Sequence, residues 1–477
     1  MDILIKISKY LPTVEEFKTS LSFREKLKWI CIFLLLYFFL LNIPLVGTLH
    51  AYQTPNPFMV LYSTLTGSKI GTLATLGVTP IITASIIVHL LVSSKILGWD
   101  IKDIEGRKKT KALEAILAYL FIFIEGLAFA FQVPIKPGFF AIVYFQIVLG
   151  GILVYLISKG IDKTRFGSGL TLIILAGIIY MFFVNLLSPF TISYKTGKYI
   201  LWFQEDNAYP TGKLLSLIVA MERGNYEIFL SSLISLISTF GLIVLSIVFI
   251  RSVIEIPLVY TQFRGFGRPL ELSLFYTSTL PLIFGSSLLM ILHSMFLSSA
   301  TIQVDDLRCG IFGCFDSNGY AVSGIAYYFT VPRGLILEFF GIKTLPEGIT
   351  IEKEILKTIV FFIFFTIILT IFSWIWVYSS GMDPQSIAES LSHYGFGISG
   401  YRSDERVIKD VLDRYIPTIT ILSGILSGII AVLTDVFGAI LYHTALIILV
   451  SASYSYYLMI KREKSEDVPN FIKRFLE

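Results

Sequence analysis

The chain has 477 residues, a hydrophobic fraction of 55%, a charged fraction of 15%, a mean hydropathy of +0.76 and a net charge of +4. So few charged side chains cannot cover a soluble domain of this length, which excludes a water-soluble globular protein and predicts an integral membrane protein. The apolar runs are continuous rather than alternating, which excludes an outer-membrane β-barrel and predicts an all-α fold.

Ten apolar segments have about the 20 residues that a helix needs to cross a bilayer. A short basic segment, residues 1–28, precedes them and is typical of an amphipathic helix at the membrane interface. The first span lacks a small-residue cleavage site, so no cleaved signal peptide is expected. The predicted spans lie at about 29–48, 71–92, 112–131, 139–158, 169–188, 228–250, 274–298, 357–379, 416–436 and 439–459.

The second span, residues 71–92, differs from a helix that faces only lipid. It contains Pro80 and a row of threonine and serine residues. A proline removes a backbone donor, which is tolerated where neighbouring helices or a water-filled path satisfy the freed groups. This segment is therefore predicted to line a polar or gated interior. Residues 57–69 before it are apolar but about half the length of a span, which predicts a short re-entrant helix.

An internal repeat relates the second span to the seventh. When residues 80–91 are aligned with residues 281–292, a proline, an isoleucine and a serine coincide. The two spans occupy equal positions in two halves of five spans, residues 29–188 and 228–459. Because each half has an odd number of spans, the halves are inverted relative to each other, and a pathway is expected at their interface.

The distribution of Lys and Arg predicts the orientation. Most of the 38 basic residues lie in the N-terminal segment, in the loops after the even-numbered spans and in the tail, residues 460–477. The positive-inside rule therefore predicts that both termini are cytoplasmic. On this topology, the loops 251–271 and 380–415 are cytoplasmic, and residues 189–227 form a long external loop.

The motifs of common catalytic sites do not occur in the sequence. It contains no Gly-rich phosphate loop, no His-Glu-x-x-His and no Gly-x-Ser-x-Gly, so we expect no enzyme, no cofactor and no metal site. Glu125 is an acid well inside the third span. Burial of an ionisable group in a membrane is costly, so Glu125 is a functional candidate, with an interhelical hydrogen bond as the alternative.

The remaining histidines, acids and cysteines have weaker signals. Three residues near the outer ends of spans are expected to have no special role: His50, Asp435 and His443. His89 and His293 lie deeper and are expected to be packed or interhelical. Cys309 and Cys314 lie close together in a polar loop, where a disulfide and two free thiols are both plausible.

Several segments, taken in order, resemble the SecY family, the large subunits of the Sec protein-conducting channel, in its archaeal and eukaryotic form. The resemblance covers nearly the whole chain. It rests on FREKLKW (23–29), LLLYFFLL (34–41), GTLATLGVTPIITASIIVHLLV (71–92), FGSGLTLIILAG (166–177), FYTSTLP (275–281), GMDPQSIAESL (381–391), GISGYRSDERVIKDVLDRYIPTIT (397–420) and DVFGAI (435–440).

The resemblance implies a plug and a pore ring. The plug would be the re-entrant helix at about 57–69, with Phe58, Met59, Leu61 and Leu65 as its apolar residues. The ring would consist of Val78, Ile82, Leu170, Ile174, Ile283 and Ile447. The first four form two pairs with a spacing of four residues, which places each pair on one helical face. Ordinary core packing would put aliphatic residues at the same positions.

The resemblance also implies a lateral gate between spans two and three on one side and spans seven and eight on the other. Its residues would be Pro80, Thr83, Glu125, Pro281 and Ser287. The family often has asparagine at the position of Ile291. Ser287, one turn earlier on a similar face, is expected to take the place of that asparagine.

The partners follow from the resemblance. A SecE-type subunit and a further small Sec subunit would bind the halves, and the cytoplasmic loops would dock a ribosome. The expected ribosome contacts are Arg264, Arg268, Arg402 and Arg406, because exposed arginines bind phosphate backbones. The other partners would be a nascent polypeptide with its signal sequence and membrane lipid.

The resemblance implies a protein-conducting channel, and the sequence contains no nucleotide-binding motif for a motor of its own. It would be a multi-pass protein of the cell membrane that passes unfolded secretory polypeptides and releases transmembrane segments sideways. The alternative is a secondary transporter of a small solute, because such transporters also use inverted repeats with broken helices.

Overall fold

The computed structural model describes residues 3–15, 17, 21–48, 63, 66–94, 96–99, 103–133, 135–192, 199–205, 208–260, 269–277, 279–304, 307–316, 319–332, 334–341, 350–398, 405–441 and 443–462. In these ranges the protein is mainly helical. The α-helices are α1 (Ile3–Ser8), α2 (Phe23–Leu40), α3 (Thr79–Ser93), α4 (Ile104–Gln132), α5 (Phe140–Lys163), α6 (Gly169–Leu187), α7 (Lys213–Glu222), α8 (Tyr226–Arg251), α9 (Leu280–Ser298), α10 (Ile325–Tyr328), α11 (Leu335–Phe339), α12 (Ile351–Ser379), α13 (Pro384–His393), α14 (Glu405–Val436) and α15 (Ala445–Arg462).

The bundle matches the ten predicted spans in order: α2, α3, α4, α5, α6, α8, α9, α12, α14 and α15. Among the described residues, seven helices are long and apolar enough to cross a membrane, namely α4, α5, α6, α8, α9, α12 and α14. Helices α3 and α15 are apolar but shorter. The all-α class is confirmed, and the chain is a multi-pass membrane protein.

Three helices begin six to eight residues later than predicted, whereas α4, α12 and α14 begin six to eleven residues earlier. α3 begins at Thr79 instead of residue 71, because Pro80 is best accommodated in a first turn and the preceding Gly77 has a left-handed φ of +54°. A Cβ at Gly77 would lie 2.4 Å from the Thr66 carbonyl oxygen. α9 begins at Leu280 for the same reason, because Pro281 lies in its first turn. α15 begins at Ala445, after a non-helical link from α14.

The helix of the first span, α2, also differs from the prediction. α2 begins at Phe23, within the segment predicted to lie on the membrane surface, and continues into the first span without a break. Its start is fixed by a capping box: the Ser22 hydroxyl accepts from the Glu25 amide, and the Glu25 carboxylate accepts from the Ser22 amide. The helix ends at Leu40, earlier than predicted.

One end of the bundle carries a small antiparallel sheet that the sequence analysis missed. It has the order β4-β3-β8, from β3 (Val253–Tyr260), β4 (Pro269–Ser273) and β8 (Phe396–Ile398). Its apolar face packs with α13 and α14 in one cluster that includes Ile256 and Leu412. The region expected to be a plain loop at 251–271 is thus largely a hairpin, built from the alternating apolar pattern of the two strands.

The opposite end of the bundle is covered by short elements. They are a hairpin of β1 (Phe190–Ile192) and β2 (Tyr199–Leu201), a sheet of β5 (Ile302–Val304), β6 (Leu307–Gly310) and β7 (Gly313–Phe315), and helices α7, α10 and α11. Cys309 and Cys314 face each other across β6 and β7 and form a disulfide. The question that the sequence left open is therefore resolved in favour of the bridge.

A hydrogen bond from α10 to a buried ion pair within α12 joins this end to the bundle. The Lys357 ammonium lies 3.4 Å from the Glu354 carboxylate, which also accepts a 3.0 Å hydrogen bond from the Tyr327 hydroxyl. Burial and the Glu354 carboxylate raise the pKa of the Tyr327 phenol well above its usual value. The phenol therefore stays protonated and continues to donate to Glu354 at all ordinary pH values.

Candidate pore and lateral gate

Helices α3 and α9 begin alike and lie side by side. Each has a proline in its first turn, Pro80 in α3 and Pro281 in α9, where the missing N–H costs no helical hydrogen bond. α3 packs against both α9 and α12. These helices belong to opposite halves of the sequence, so the halves meet here along a seam, with α3 on one side and α9 and α12 on the other.

The six residues predicted to form the pore ring are all buried in one apolar cluster. None of their side chains is more than 8% exposed. They are Val78 and Ile82 at the start of α3, Leu170 and Ile174 in α6, Ile283 in α9 and Ile447 in α15. A closed constriction requires this burial, but ordinary helix packing produces it as well, so the ring stays a prediction.

Aromatic rings fill the seam beyond the predicted ring. His89 of α3 packs edge-on against Trp376 of α12, with ring centroids 4.9 Å apart, and lies 6.0 Å from Phe284 of α9. Phe284 in turn contacts Phe372, one turn before the tryptophan. The expectation that His89 is packed is confirmed. The other three residues were missed, because aromatic pairs at helical spacing recur throughout a chain with 40 phenylalanines.

The predicted polar gate residues form one pair. The Thr83 hydroxyl of α3 donates a 2.8 Å hydrogen bond to Oε1 of Glu125 in α4. The second carboxylate oxygen of Glu125 is buried without a hydrogen-bond partner in the described part of the chain. A similar bond of 3.1 Å joins Ser85 to Glu114 of α4. Both bonds link α3 to its neighbour in the same half of the sequence.

The seam side of α9 does not complete this polar cluster. Ser287, expected to replace the missing asparagine, is buried, but within the described ranges it forms no hydrogen bond to Thr83 or Glu125. Ile291 is 49% exposed on the bundle surface. The contacts seen across the seam are therefore apolar and aromatic.

Only the end of the predicted plug falls within the described residues. Phe58, Met59, Leu61 and Leu65 lie outside them. The Tyr37 hydroxyl of α2, fully buried, donates to the Gly67 carbonyl, and the Val78 amide donates a 3.0 Å bond to the Thr66 carbonyl. The C-terminal end of this segment is thus tied to α2 and to the first residue of the predicted ring.

Asp435 and His443 correct a prediction. They were expected to have no special role, yet their side chains are about 1% exposed and meet in a 2.7 Å contact between Oδ2 of Asp435 and Nδ1 of His443. The residues are eight apart and are brought together by the turn between α14 and α15, so no helical spacing could reveal the pair. His293 is buried against Phe315, as expected, and His50 lies outside the described residues.

One predicted ribosome contact, Arg406, falls within the described residues, at the end that carries the β4-β3-β8 sheet. Arg406 is exposed in the first turn of α14. Arg264, Arg268 and Arg402 lie outside the described residues.

Comparisons with known proteins cover nearly the whole chain. A family model described as SecY matches residues 72–457. The protein translocase subunit SecY of Methanothermobacter thermautotrophicus is 31% identical over 480 residues, which are 98% of this chain and 96% of the relative. The SecY subunit of Methanocaldococcus jannaschii is 31% identical over 490 residues and is aligned over 100% of both chains.

Solved structures show the same fold. A protein conducting channel superposes with a TM-score of 0.77 at 28% identity, over 98% of both chains. Sec61 in the canine ribosome–channel complex from the endoplasmic reticulum superposes with a TM-score of 0.72 at 27% identity, also over 98% of both chains.

The fold and these likenesses define the class as a multi-pass membrane channel for protein translocation, and not an enzyme. The ten helices and the seam between opposite halves fit that class. Within it, the chain belongs to the SecY family.

Proposed function

We propose that unfolded polypeptides cross the membrane through the pore ring and that apolar segments leave sideways through the seam between α3 and the α9–α12 pair. The observation that supports the proposal is the packing of the seam, which is filled by the rings of His89, Phe284 and Trp376. The three side chains meet through ring contacts, and lipid tails are apolar like the Phe284 ring, so little free energy is lost when lipid or an apolar segment replaces these contacts.

A photoreactive residue at Ile82 or Ile283 tests this pathway. Both side chains are buried in the closed channel. A nascent chain stalled in transit should cross-link to both positions, whereas the same residue at Ile147, buried in α5 outside the ring, should not cross-link. Equal capture at all three positions, or capture at none, would contradict the pathway. Counterflow of a small solute would instead favour the transporter, which family membership disfavours.

The plug at about 57–69 closes the idle channel in this proposal. Its C-terminal end is held by the bonds from Tyr37 and Val78, next to the ring. Deletion of residues 57–62 should raise the ion leak of the purified complex, measured in planar bilayers. A leak equal to that of the unmodified complex would rule out a sealing role.

External partners supply the driving force in the proposal, since the sequence has no nucleotide-binding motif. A ribosome is the docking partner at the β4-β3-β8 end, as in the canine ribosome–channel complex to which the fold is similar. A SecE-type subunit and a further small Sec subunit complete the channel, and a signal sequence partitions into lipid because its apolar residues favour that environment.

Alanine at Arg402 and Arg406 tests the docking surface. Loss of each phosphate contact should reduce ribosome affinity and lower the salt slope by about 1. Arg414, exposed two turns further along α14, is the matched control and should change neither quantity. If the double variant retained the affinity and slope of the unmodified complex, the arginines would not be ribosome contacts.

The proposed orientation places the protein in the plasma membrane with both termini in the cytoplasm. The support is the concentration of Lys and Arg in the terminal segments and in the loops after even-numbered spans. Single cysteines introduced at Lys9 and Lys461 in a background without Cys31 should react with an impermeant maleimide only after the cells are opened. Labelling of intact cells at either site would reverse the topology.

A further inference from the structure

Residues 439–441, 443 and 444, in the link between α14 and α15, are buried although they are not helical. Ile440 shows how its backbone is satisfied: its amide donates a 2.9 Å bond to the Thr239 hydroxyl of α8, and its carbonyl accepts from the Asn185 side chain of α6 at 3.3 Å. Loops normally lie on the surface, since buried backbone groups need specific partners. The link is therefore held in one place by side chains from several helices.

Asp435 provides the closest of these contacts. One carboxylate oxygen accepts a 2.8 Å bond from the backbone amide of His443, and the other lies 2.7 Å from the Nδ1 of its ring. His443 has a left-handed φ of +53°, which disfavours a side chain, and its ring packs 4.3 Å from the ring of Phe365. The pair thus fixes both the backbone and the ring of a residue in an unfavourable conformation.

Next to this pair, two hydroxyl contacts join the link and α15 to α9. Thr444 bonds Ser286 of α9 at 2.5 Å, and Ser451 bonds Thr279 at 3.3 Å. All four side chains are buried. Residue numbers rise along α9 as they fall along α15, so the two segments run antiparallel in a fixed register.

The predicted ring residues lie between the two hydroxyl contacts. Ile283 is four residues from one contact and three from the other along α9, and Ile447 has the same spacing along α15. Residues at these spacings share one helical face. The hydroxyl contacts therefore set the register of the two isoleucines that represent α9 and α15 in the ring.

We propose that Asp435 and His443 are positioning residues for the pore ring. By fixing the link, they hold Thr444 against Ser286. The α15 side of the ring is thereby kept against the α9 side in the closed channel. The inference rests on the proposed function, since it takes the ring as the constriction. A purely structural role would affect the stability of the channel but not its closure once folded.

The test is the ion conductance of the idle complex, with its small subunits, in planar bilayers. Asp435→Ala and Thr444→Val should each raise conductance about tenfold, because loss of a buried hydrogen bond shifts a closed–open equilibrium by about that factor. The double variant should conduct no more than the leakier single variant, because both changes act through the same contact.

Two control variants separate positioning from general damage. Asp435→Asn keeps an oxygen that accepts from the His443 amide, so its conductance should stay well below that of Asp435→Ala. Thr434→Val removes a buried hydroxyl next to the pair. In the described part of the chain, this hydroxyl bonds the Ile430 carbonyl of its own helix and no other group. It should leave conductance unchanged. Thermal unfolding of each complex shows whether the variant is folded.

Folded Asp435→Ala and Thr444→Val complexes that stay as closed as the unmodified channel would overturn the inference. If Asp435→Ala fails to fold, Thr444→Val decides alone. Ile283→Ser distinguishes failure of the positioning role from failure of the pore ring itself. If it conducts while both other variants stay closed, the ring is correct and the positioning role is wrong, and if it also stays closed, the ring itself is wrong.

Discussion

The segments that lead into the two proline-led helices are held by different chemistry. The α3 lead-in, residues 66–78, is paired through its backbone: the Leu73 amide donates to the Ile43 carbonyl at 3.0 Å, and the Gly71 carbonyl accepts from the Leu45 amide at 2.9 Å. Hydroxyls in this segment bond nearby carbonyls of the segment itself, as Thr72 does with Lys69.

The described part of the α9 lead-in, residues 273–277 and 279, has one such backbone bond, from the Leu274 amide to the Ser252 carbonyl at 2.9 Å, and is otherwise held by side chains. The Thr277 hydroxyl lies 3.2 Å from that of Ser373 in α12 and 2.8 Å from that of Ser423 in α14. The Tyr276 hydroxyl donates a 2.7 Å bond to the Met382 carbonyl. The two lead-ins precede the helices that the sequence repeat relates, yet one is held mainly by backbone hydrogen bonds and the other mainly by side-chain hydroxyls. Substitutions of side chains should therefore destabilise the α9 lead-in more than the α3 lead-in.

The largest loss of stability is expected from a substitution in α5, where this helix contacts the backbone of the α3 lead-in. A Cβ at Gly150 of α5 would lie 1.7 Å from the Leu73 carbonyl oxygen, so Gly150→Ala must displace the lead-in. We expect a loss of about 3 kcal/mol in the free energy of unfolding, at the upper end for overpacked cores. Thermal unfolding of the purified complex measures this loss.

Gly241→Ala is the matched control, because no atom lies within 4 Å of a Cβ at Gly241 in α8. Alanine is the better helix former there by about 0.5–1 kcal/mol, so this variant should be unchanged or slightly stabilised. Equal unfolding temperatures for the two alanine variants would show that the lead-in is not held by close packing.

The second-largest loss of stability is expected from a substitution in the α9 lead-in. Thr277→Val removes the hydroxyl that bonds two others, and leaves Ser373 and Ser423 buried without that partner. Each unsatisfied buried hydroxyl costs roughly 1–3 kcal/mol, so a loss of about 2 kcal/mol is expected. Thr72→Val in the other lead-in removes one local bond and should cost about 0.5–1 kcal/mol. Similar losses for the two valine variants would erase the contrast.

The smallest effect on stability is expected for Glu125→Gln. The amide oxygen can still accept from Thr83, so the free energy of unfolding should change by about 0.5 kcal/mol or less. Gating should change, because the substitution replaces a buried carboxyl group beside the seam helix α3 with an amide that cannot ionise. Translocation into reconstituted vesicles measures this, with Glu114→Gln as the control on the same helix. Unchanged translocation by Glu125→Gln would argue against a gating role.

The sequence predicted the features that depend on composition and local pattern. Ten apolar segments gave the helices, and the alignment of Pro80 with Pro281 identified two helices that meet in the structure. The resemblance named Thr83 and Glu125 as gate residues, and the residue pattern offered an interhelical hydrogen bond for Glu125 without naming its partner, which the structure shows to be Thr83.

Features that depend on tertiary contact could not be predicted. Asp435 and His443 meet through a turn with a left-handed residue, and no periodicity indicates such a turn for histidine. Ser287 lies at a suitable spacing, yet it does not complete the polar pair, because the direction of a helix face is set by its neighbours. The β3–β4 hairpin was overlooked because short alternating strands give a weak signal between long apolar runs.

The β4-β3-β8 sheet has a mechanical consequence. β3 pairs with strands from two separate loops, and β4 runs directly into the α9 lead-in, where the Ser273 hydroxyl bonds the last turn of α8. A load on either loop is therefore shared by both. A large partner that binds the β4-β3-β8 sheet and pulls or tilts it would transmit the force to α9, the helix that forms one edge of the seam.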